Sequence, residues 1–169
     1  MFQIILYSMI ACSDDTIPIT QQTNSQKDVA KKDVAKMRAE TKKEEMTKAR
    51  TGKQVYASVC RSCHQATGQG ITGVYPPLAG SGWLIKDTSI PIRIVLHGLM
   101  GEIEVAGTKY NNVMSPQGML LNDQEIANVL NYIRSSWGNK ADVVITANMV
   151  KEQRDKYPNH AMWNASDLK

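Results

Sequence analysis

The sequence predicts a mostly α-helical domain in which two terminal helices flank a loop-rich middle, and three observations carry that prediction. Gly52, Val55, Tyr56, Val59, Cys60 and Cys63 recur at three- and four-residue steps, the spacing of one helix face. Asn122 followed three residues later by Glu125 is an Asn form of the capping box, and Leu121 with Ile126 supplies the hydrophobic staple of a second helix. No alternating strand pattern of useful length occurs between them.

At 169 residues and 18.8 kDa the chain is one domain with tails, too short for a multidomain enzyme with its own nucleotide-binding half. With 42% hydrophobic residues it can bury a core. Phe occurs once and aromatics reach 6%, against 9 Met, so part of the usual aromatic filling is expected from a large flat cofactor. The net charge of +4 is unevenly placed: residues 27–53 carry ten Lys or Arg against five Asp or Glu, whereas residues 54–169 carry ten against nine. A folded domain so nearly neutral has no basic stripe for phosphates, which argues against nucleic acid as a partner. No apolar run reaches the roughly 18 residues of a membrane span.

In chain order, residues 1–11 (MFQIILYSMIA) form a signal-like apolar segment ending just before Cys12. The stretch resembles a bacterial lipoprotein signal, with Met9-Ile10-Ala11-Cys12 as an imperfect lipobox, although no Lys or Arg precedes it. A lipid on Cys12 would hold the protein on a membrane surface, and a plain cleaved leader is the alternative. Residues 12–50 form a charged tether with a tandem pentad, Lys27 to Lys31 and Lys32 to Lys36. Asp28 with Lys32 and Glu44 with Lys48 stand four apart, acid first, which supports a solvated helix. Residues 51–138 are the folded domain. After the first helix come glycine- and proline-rich loops, a helical piece from Ile90 to His97, and the capped helix with its face of Ile126, Val129, Leu130, Ile133 and Trp137, stopped by Gly138. Residues 139–169 read as an extension that packs on the domain: Thr146 caps a helix to about Lys156, Tyr157-Pro158 breaks it, and a last amphipathic piece holds Trp163 and Leu168.

The chemistry sits at Cys60-Arg61-Ser62-Cys63-His64. Two thiols one helical turn apart can each add to a vinyl group of haem, and the adjacent imidazole then falls beneath the iron as proximal ligand. Three other uses of the same cysteines stand beside this one. A structural zinc site needs two further ligands, and His97 and His160 have no paired spacing. A thioredoxin-like redox pair needs a βαβ context, and a plain disulfide needs none.

Flanking motifs extend the match. Gly52, Tyr56 and Cys60-x-x-Cys63-His64, then Tyr75-Pro-Pro-Leu-Ala-Gly80, then Tyr110-Asn-Asn-Val-Met114-Ser-Pro116 together resemble the small single-haem class I cytochromes c of bacteria, across Gly52 to Gly138. The resemblance implies the cytochrome c fold, terminal helices around one haem c held covalently through Cys60 and Cys63, and electron transfer rather than catalysis. It implies that the Pro76 carbonyl accepts the Nδ1 proton of His64, and that His64 and Met114 are the axial metal ligands. Met100 and Met119 are the nearby competitors, both expected to be packing residues, and His97 would give a bis-His site instead. Ser115 stands where the family often has Pro. The pocket walls are expected at Leu78, Trp83, Ile92, Val95, Leu96 and Leu130, with Tyr56 and Tyr132 at the crossing of the terminal helices and Arg93 or Trp83 facing a haem propionate.

The partners implied are a redox donor and acceptor, such as a dehydrogenase, oxidase or reductase, outside the cytoplasm where such haems are attached. Tyr75 to Leu84 with Val95 to Gly107 is similar to haem domains of periplasmic sugar dehydrogenases and copper nitrite reductases, so a haem-bearing subunit of such a complex is the alternative to a tethered carrier. A periplasmic position, anchored through lipidated Cys12, follows from the same reading.

Overall fold

The computed structural model describes residues 34, 36–38 and 49–168. The chain separates into two units, Met1–Glu44 and Glu45–Lys169. In the first, residues 34 and 36–38 are helical and exposed. The signal-like segment, Cys12, the Asp28 and Lys32 pair and the Glu44 and Lys48 pair lie outside the described residues. Among the described residues no helix is long and apolar enough to cross a membrane.

Helix α1 runs through three consecutive turns, Gly52–Val55, the wider π-helical Tyr56–Cys60, and Arg61–His64. Thr51 caps it: its hydroxyl accepts from the Gln54 N–H, while the Gln54 side chain accepts from the Thr51 N–H. Helix α2 is Ser89–His97, started where the Asp87 carboxylate accepts from the Ser89 N–H at 2.7 Å and stopped by Gly98 at φ +82°. Pro91 is its third residue, inside the first turn where no intrahelical N–H bond is lost. Helix α3 is Asp123–Arg134, and its Asn122–Glu125 capping box is formed on both sides. Leu121 and Ile126, the predicted staple, are both buried.

The core lies where α1 crosses α3. Val55, Ile126, Val129, Leu130 and Ile133 are all buried there, each worth about 1.5–3 kcal/mol of removal from water. Gly52 makes the crossing close, because a Cβ on it would lie 2.1 Å from the Asn128 carbonyl oxygen and 2.6 Å from Tyr132 Cβ. Gly52→Ala is therefore expected to wedge the helices apart and cost about 1–3 kcal/mol in a denaturant melt. Arg50 and Glu125 pin the same crossing, with Nε to Oε1 at 2.7 Å and Nη2 to Oε2 at 3.3 Å. The hydrogen-bonded Arg50 guanidinium holds the Glu125 carboxyl below its ordinary pKa of 4.5, against the opposing effect of burial. A depressed carboxyl pKa gives stability that is complete above the unfolded value and lost as pH falls through the folded one. Arg50→Ala should thus cost about 1 kcal/mol at neutral pH, after allowing for screening at the 40% exposed Arg50, and the deficit should shrink in acid. Stability curves of both proteins from pH 7 downward measure this.

Two features differ from the sequence expectation. Helix α3 ends at Arg134 rather than at Gly138, and Trp137 takes φ +53°, turning back so that its ring meets Tyr56 at 5.0 Å and Tyr132 at 5.8 Å. Short strands also form: β1 is Leu99–Met100, β2 Ile103–Val105, β3 Thr108–Tyr110 and β4 Trp163–Asn164. Strands β2 and β3 are an antiparallel hairpin closed by Ala106 and Gly107, both left-handed at φ +50° and +76°, the geometry of a two-residue primed turn. Three residues per strand are too few to register as a period of two.

Helix α4, Ala147–Lys156, is capped by Thr146 and packs on α2 and α3. Beyond it, β4 pairs in parallel with β1, and Ala165 and Leu168 are buried. Residues 139–168 thus lie on the domain along most of their length.

Candidate functional site

The site begins at the end of α1. Cys60 and His64 stand four residues apart on that helix and both reach the wall of one apolar cavity. Gln65, at φ +62°, ends the helix, and the buried Tyr56 hydroxyl donates to the Gln65 carbonyl at 2.6 Å. The chain then folds back: Leu78 N and Ala79 N donate to the Gly68 carbonyl at 2.7 and 3.0 Å, and Ile71 and Tyr75 exchange two bonds at 2.8 Å. This return places the Pro76 carbonyl 3.0 Å from His64 Nδ1. A carbonyl can only accept, so Nδ1 carries the proton and Nε2 keeps its lone pair. Gly70 permits the approach, since a Cβ there would lie 2.2 Å from the Tyr75 carbonyl oxygen and 2.7 Å from that of Pro76. Asn139, buried at the head of the C-terminal segment, donates to the Leu78 and Ile133 carbonyls and accepts from the Gly80 N–H, fastening the returning loop to α3.

Burial pushes the His64 pKa down, opposed by the Pro76 hydrogen bond, so the ring is neutral and able to bind a metal. Burial, with Cys63 beside it, raises the Cys60 thiol to about 11, so it stays protonated at neutral pH until it reacts. Cys63 is half-buried, with its sulfur 3.9 Å from the Ser62 hydroxyl, and does not form part of the cavity wall.

Across the cavity stand Leu78, Trp83, Val95, Leu130 and Met114, together with Pro77, Pro91, Ile94, Leu99, Ile103 and Val105. These walls enclose an apolar cavity of about 90 Å³ that is partly open to solvent. Its lining is almost wholly aliphatic, with the neutral His64 imidazole and a methionine thioether among the few heteroatoms. That donor set suits a flat apolar macrocycle whose metal takes soft or imidazole ligands, and Cys60 on the wall, with Cys63 three residues further along the same helix, suits its covalent attachment.

Met114 is half-buried and sits in a short backbone bridge: Leu99 N donates to its carbonyl at 3.0 Å and its own N–H donates to Leu99 O at 2.9 Å. The competitors are elsewhere. Met100 is 41% exposed on β1, and His97 packs against His160 and Trp163 outside the cavity wall. Burial lowers the His97 pKa, and the His160 and Arg154 charges lower it further.

Ile92, Leu96 and Met119 lie elsewhere than expected. Ile92 and Leu96 are buried in the core but do not line the cavity; Pro91, Ile94 and Val95 do, because they share the neighbouring face of α2. Arg93 does not face the cavity either. Its guanidinium bonds to the Ser89 hydroxyl at 2.8 Å and lies 5.2 Å from the centre of the Trp163 ring. Trp83 remains on the wall, its indole N–H donating to the Glu104 carbonyl at 3.2 Å. Met119, expected to pack, is 96% exposed, because the turn before α3 sends only Leu121 inward. Leu99, Ile103 and Val105 were missed. They belong to strands too short to show in the sequence, although the alternation Ile103-x-Val105 is their trace.

Comparisons with known proteins agree with this geometry. The cytochrome c family model matches residues 49–137. Cytochrome c-552 of Thermus thermophilus is 46% identical over 113 residues, covering 62% of this chain and 85% of that protein. The cytochrome c subunit of the quinone alcohol dehydrogenase of Gluconacetobacter polyoxogenes is 36% identical over 107 residues, 62% of this chain but 22% of that subunit. The gluconate 2-dehydrogenase cytochrome c subunit of Pantoea cypripedii is 32% identical across the whole chain, which spans 40% of it. A buried imidazole with its Nδ1 fixed, a cysteine pair on the same helix, an aliphatic cavity beside them and these matches agree: the chain belongs to the cytochrome c family, carries haem c covalently through Cys60 and Cys63, and works in electron transfer.

Proposed function

We propose that His64 and Met114 are the two axial ligands, and that the protein shuttles single electrons between redox partners on the outer face of a membrane. The observation that carries this is the presence of both side chains on the walls of one cavity, with His64 Nδ1 tied to Pro76 and so Nε2 left as the donor. When bound, the haem supplies a one-electron couple whose oxidised and reduced forms differ by a single charge. This chain's residues do the rest. With the haem bound, His64, kept neutral by burial, and Met114 would each offer a donor to the metal and so leave oxygen or peroxide no vacant site, and the thioether and the aliphatic walls would favour the less charged reduced form. Both effects raise the potential, which suits delivery of electrons to a terminal oxidase or reductase.

Stopped-flow mixing of the reduced holoprotein with carbon monoxide tests the closed site, the expected result being no rapid binding. A fast, complete carbon monoxide spectrum would show an open iron and end the carrier reading.

A second reading, a haem-bearing subunit of a dehydrogenase or reductase complex, is supported by the names of the relatives that are dehydrogenase cytochrome subunits. Purification from the native membrane distinguishes the two: a stoichiometric large catalytic subunit argues for the complex, a free small haem protein for the shuttle. For location, the reading is a periplasmic protein held to the membrane by a lipid on Cys12, the tether keeping the haem domain near its partners. Mass spectrometry of the mature amino terminus tests this. An acylated Cys12 is expected, and an unmodified residue at or beyond position 12 would remove the anchor.

A further inference from the structure

We infer that the C-terminal segment is a two-point brace for the Met114 loop, with Trp163 and Arg154 as positioning residues that keep the sixth ligand in place. The inference rests on the proposed ligation by Met114.

The first point is a backbone ladder. Leu99 stands between two partners: on one edge it exchanges both hydrogen bonds with Met114, and on the other β1 pairs with β4, Leu99 opposite Trp163, with Trp163 N donating to the Gly98 carbonyl at 3.2 Å. Only Leu99 separates the main chain of Met114 from the C-terminal strand. The side chains repeat the arrangement. Trp163, Ala165 and Leu168 are buried with Leu99, and Met114 packs against that cluster. At Gly98 no slack remains, because a Cβ there would lie 2.5 Å from the Met114 carbonyl oxygen and 3.0 Å from Met162 Cγ.

The second point is Arg154 of α4. Its Nη1 donates to the Gly118 carbonyl at 2.7 Å, its Nη2 to the Leu121 carbonyl at 3.1 Å, and its Nε to Asp123 Oδ1 at 2.8 Å. One rigid guanidinium fork thereby holds the turn that leads from Met114 into α3. The loop is also bound to α2, through Gln117 N to the Val95 carbonyl and Gly118 N to that of Leu96. Without the C-terminal segment that attachment would be flanked by an open strand edge upstream and two unclaimed carbonyls downstream.

A thioether ligand leaves the iron only when its loop moves. Holding both ends of the loop raises the free energy of the open form, so the extension sets how often the sixth position is vacant and keeps an electron carrier from acting as a ligand-binding haem protein.

The test uses the full holoprotein and the rate at which imidazole binds the oxidised form, which is limited by loss of the native sixth ligand. Arg154→Ala, and a chain ending after Lys156 that lacks β4, are each expected to bind imidazole about tenfold faster. Arg50→Ala, which removes a comparable charge-assisted pair that does not touch the Met114 loop, serves as the control for general loss of stability and should bind at the unmodified rate. If the shortened chain does not retain its fold, Arg154→Ala decides alone. Unchanged rates in the brace variants, or an equal acceleration in Arg50→Ala, overturn the brace. Met114→Ala separates the two readings: it should bind imidazole faster than any of these, and if it binds at the unmodified rate then Met114 is not the ligand and both readings fall.

Discussion

Replacing Met114 with alanine lowers the reduction potential by on the order of 0.1 V, a fraction of the ~0.8 V that axial ligands span. The direction follows from two losses. The thioether prefers the reduced iron, and the shortened side chain admits water to a wall that is otherwise aliphatic, which favours the more highly charged oxidised form. Redox titration measures the shift, and the weak sulfur-to-iron absorption of the oxidised protein should vanish with it. Deleting a half-buried side chain that packs beside Leu99 and Trp163 also costs about 2–4 kcal/mol of stability, part of it from the cavity left behind. Persistence of the sulfur band would assign the sixth position to another residue; Met100, 41% exposed on β1, would then have to move inward to serve.

The double change Cys60→Ala and Cys63→Ala converts the haem from a covalent to an extractable group. Acid-acetone treatment should leave the unmodified polypeptide coloured and strip the variant. A larger effect on the fold accompanies it. The cavity is lined by residues from α1, α2, α3 and the hairpin, so a chain that loses its haem must either collapse these walls or leave a wet, apolar hollow between them. The haem-free variant is expected to lose several kcal/mol, because a ligand bound only by the folded state stabilises it by mass action and the two thioethers make that ligand permanent. Cys63→Ala alone should be milder, since Cys60, on the cavity wall, still supplies one bond. Thermal melts of the three proteins rank these outcomes. Equal melting temperatures in all three would mean that the haem is no part of the core.

Local signals were readable without coordinates. The Asn122–Glu125 box, the Thr146 cap and the Cys60-x-x-Cys63-His64 string each depend on residues within four positions of one another, where the helix geometry leaves few choices. The Pro76 partner of His64 is twelve residues away and could be named only through the family resemblance, but the loop that delivers it is short and its glycine is visible in the sequence. Side-chain direction was harder. Arg93 and Ile94 are neighbours on α2, and nothing in their order says that the aliphatic one turns to the cavity and the charged one to Trp163; the rotation of α2 about its axis is set by what α3 and the C-terminal segment press against it.

The cysteine pair with its adjacent histidine, and the starts of the helices capped by Asn122 and Thr146, were thus legible from residues within a turn or two of one another, and the flanking motifs of the family resemblance added the cofactor. The placement of Met114 was not. Its loop is held by Leu99, fifteen residues before it, and that strand is held in turn by Trp163, forty-nine residues after Met114. Pairings of one to three residues across such separations leave almost no periodic mark on the chain, because each is favoured only once the helices have already brought the strands together.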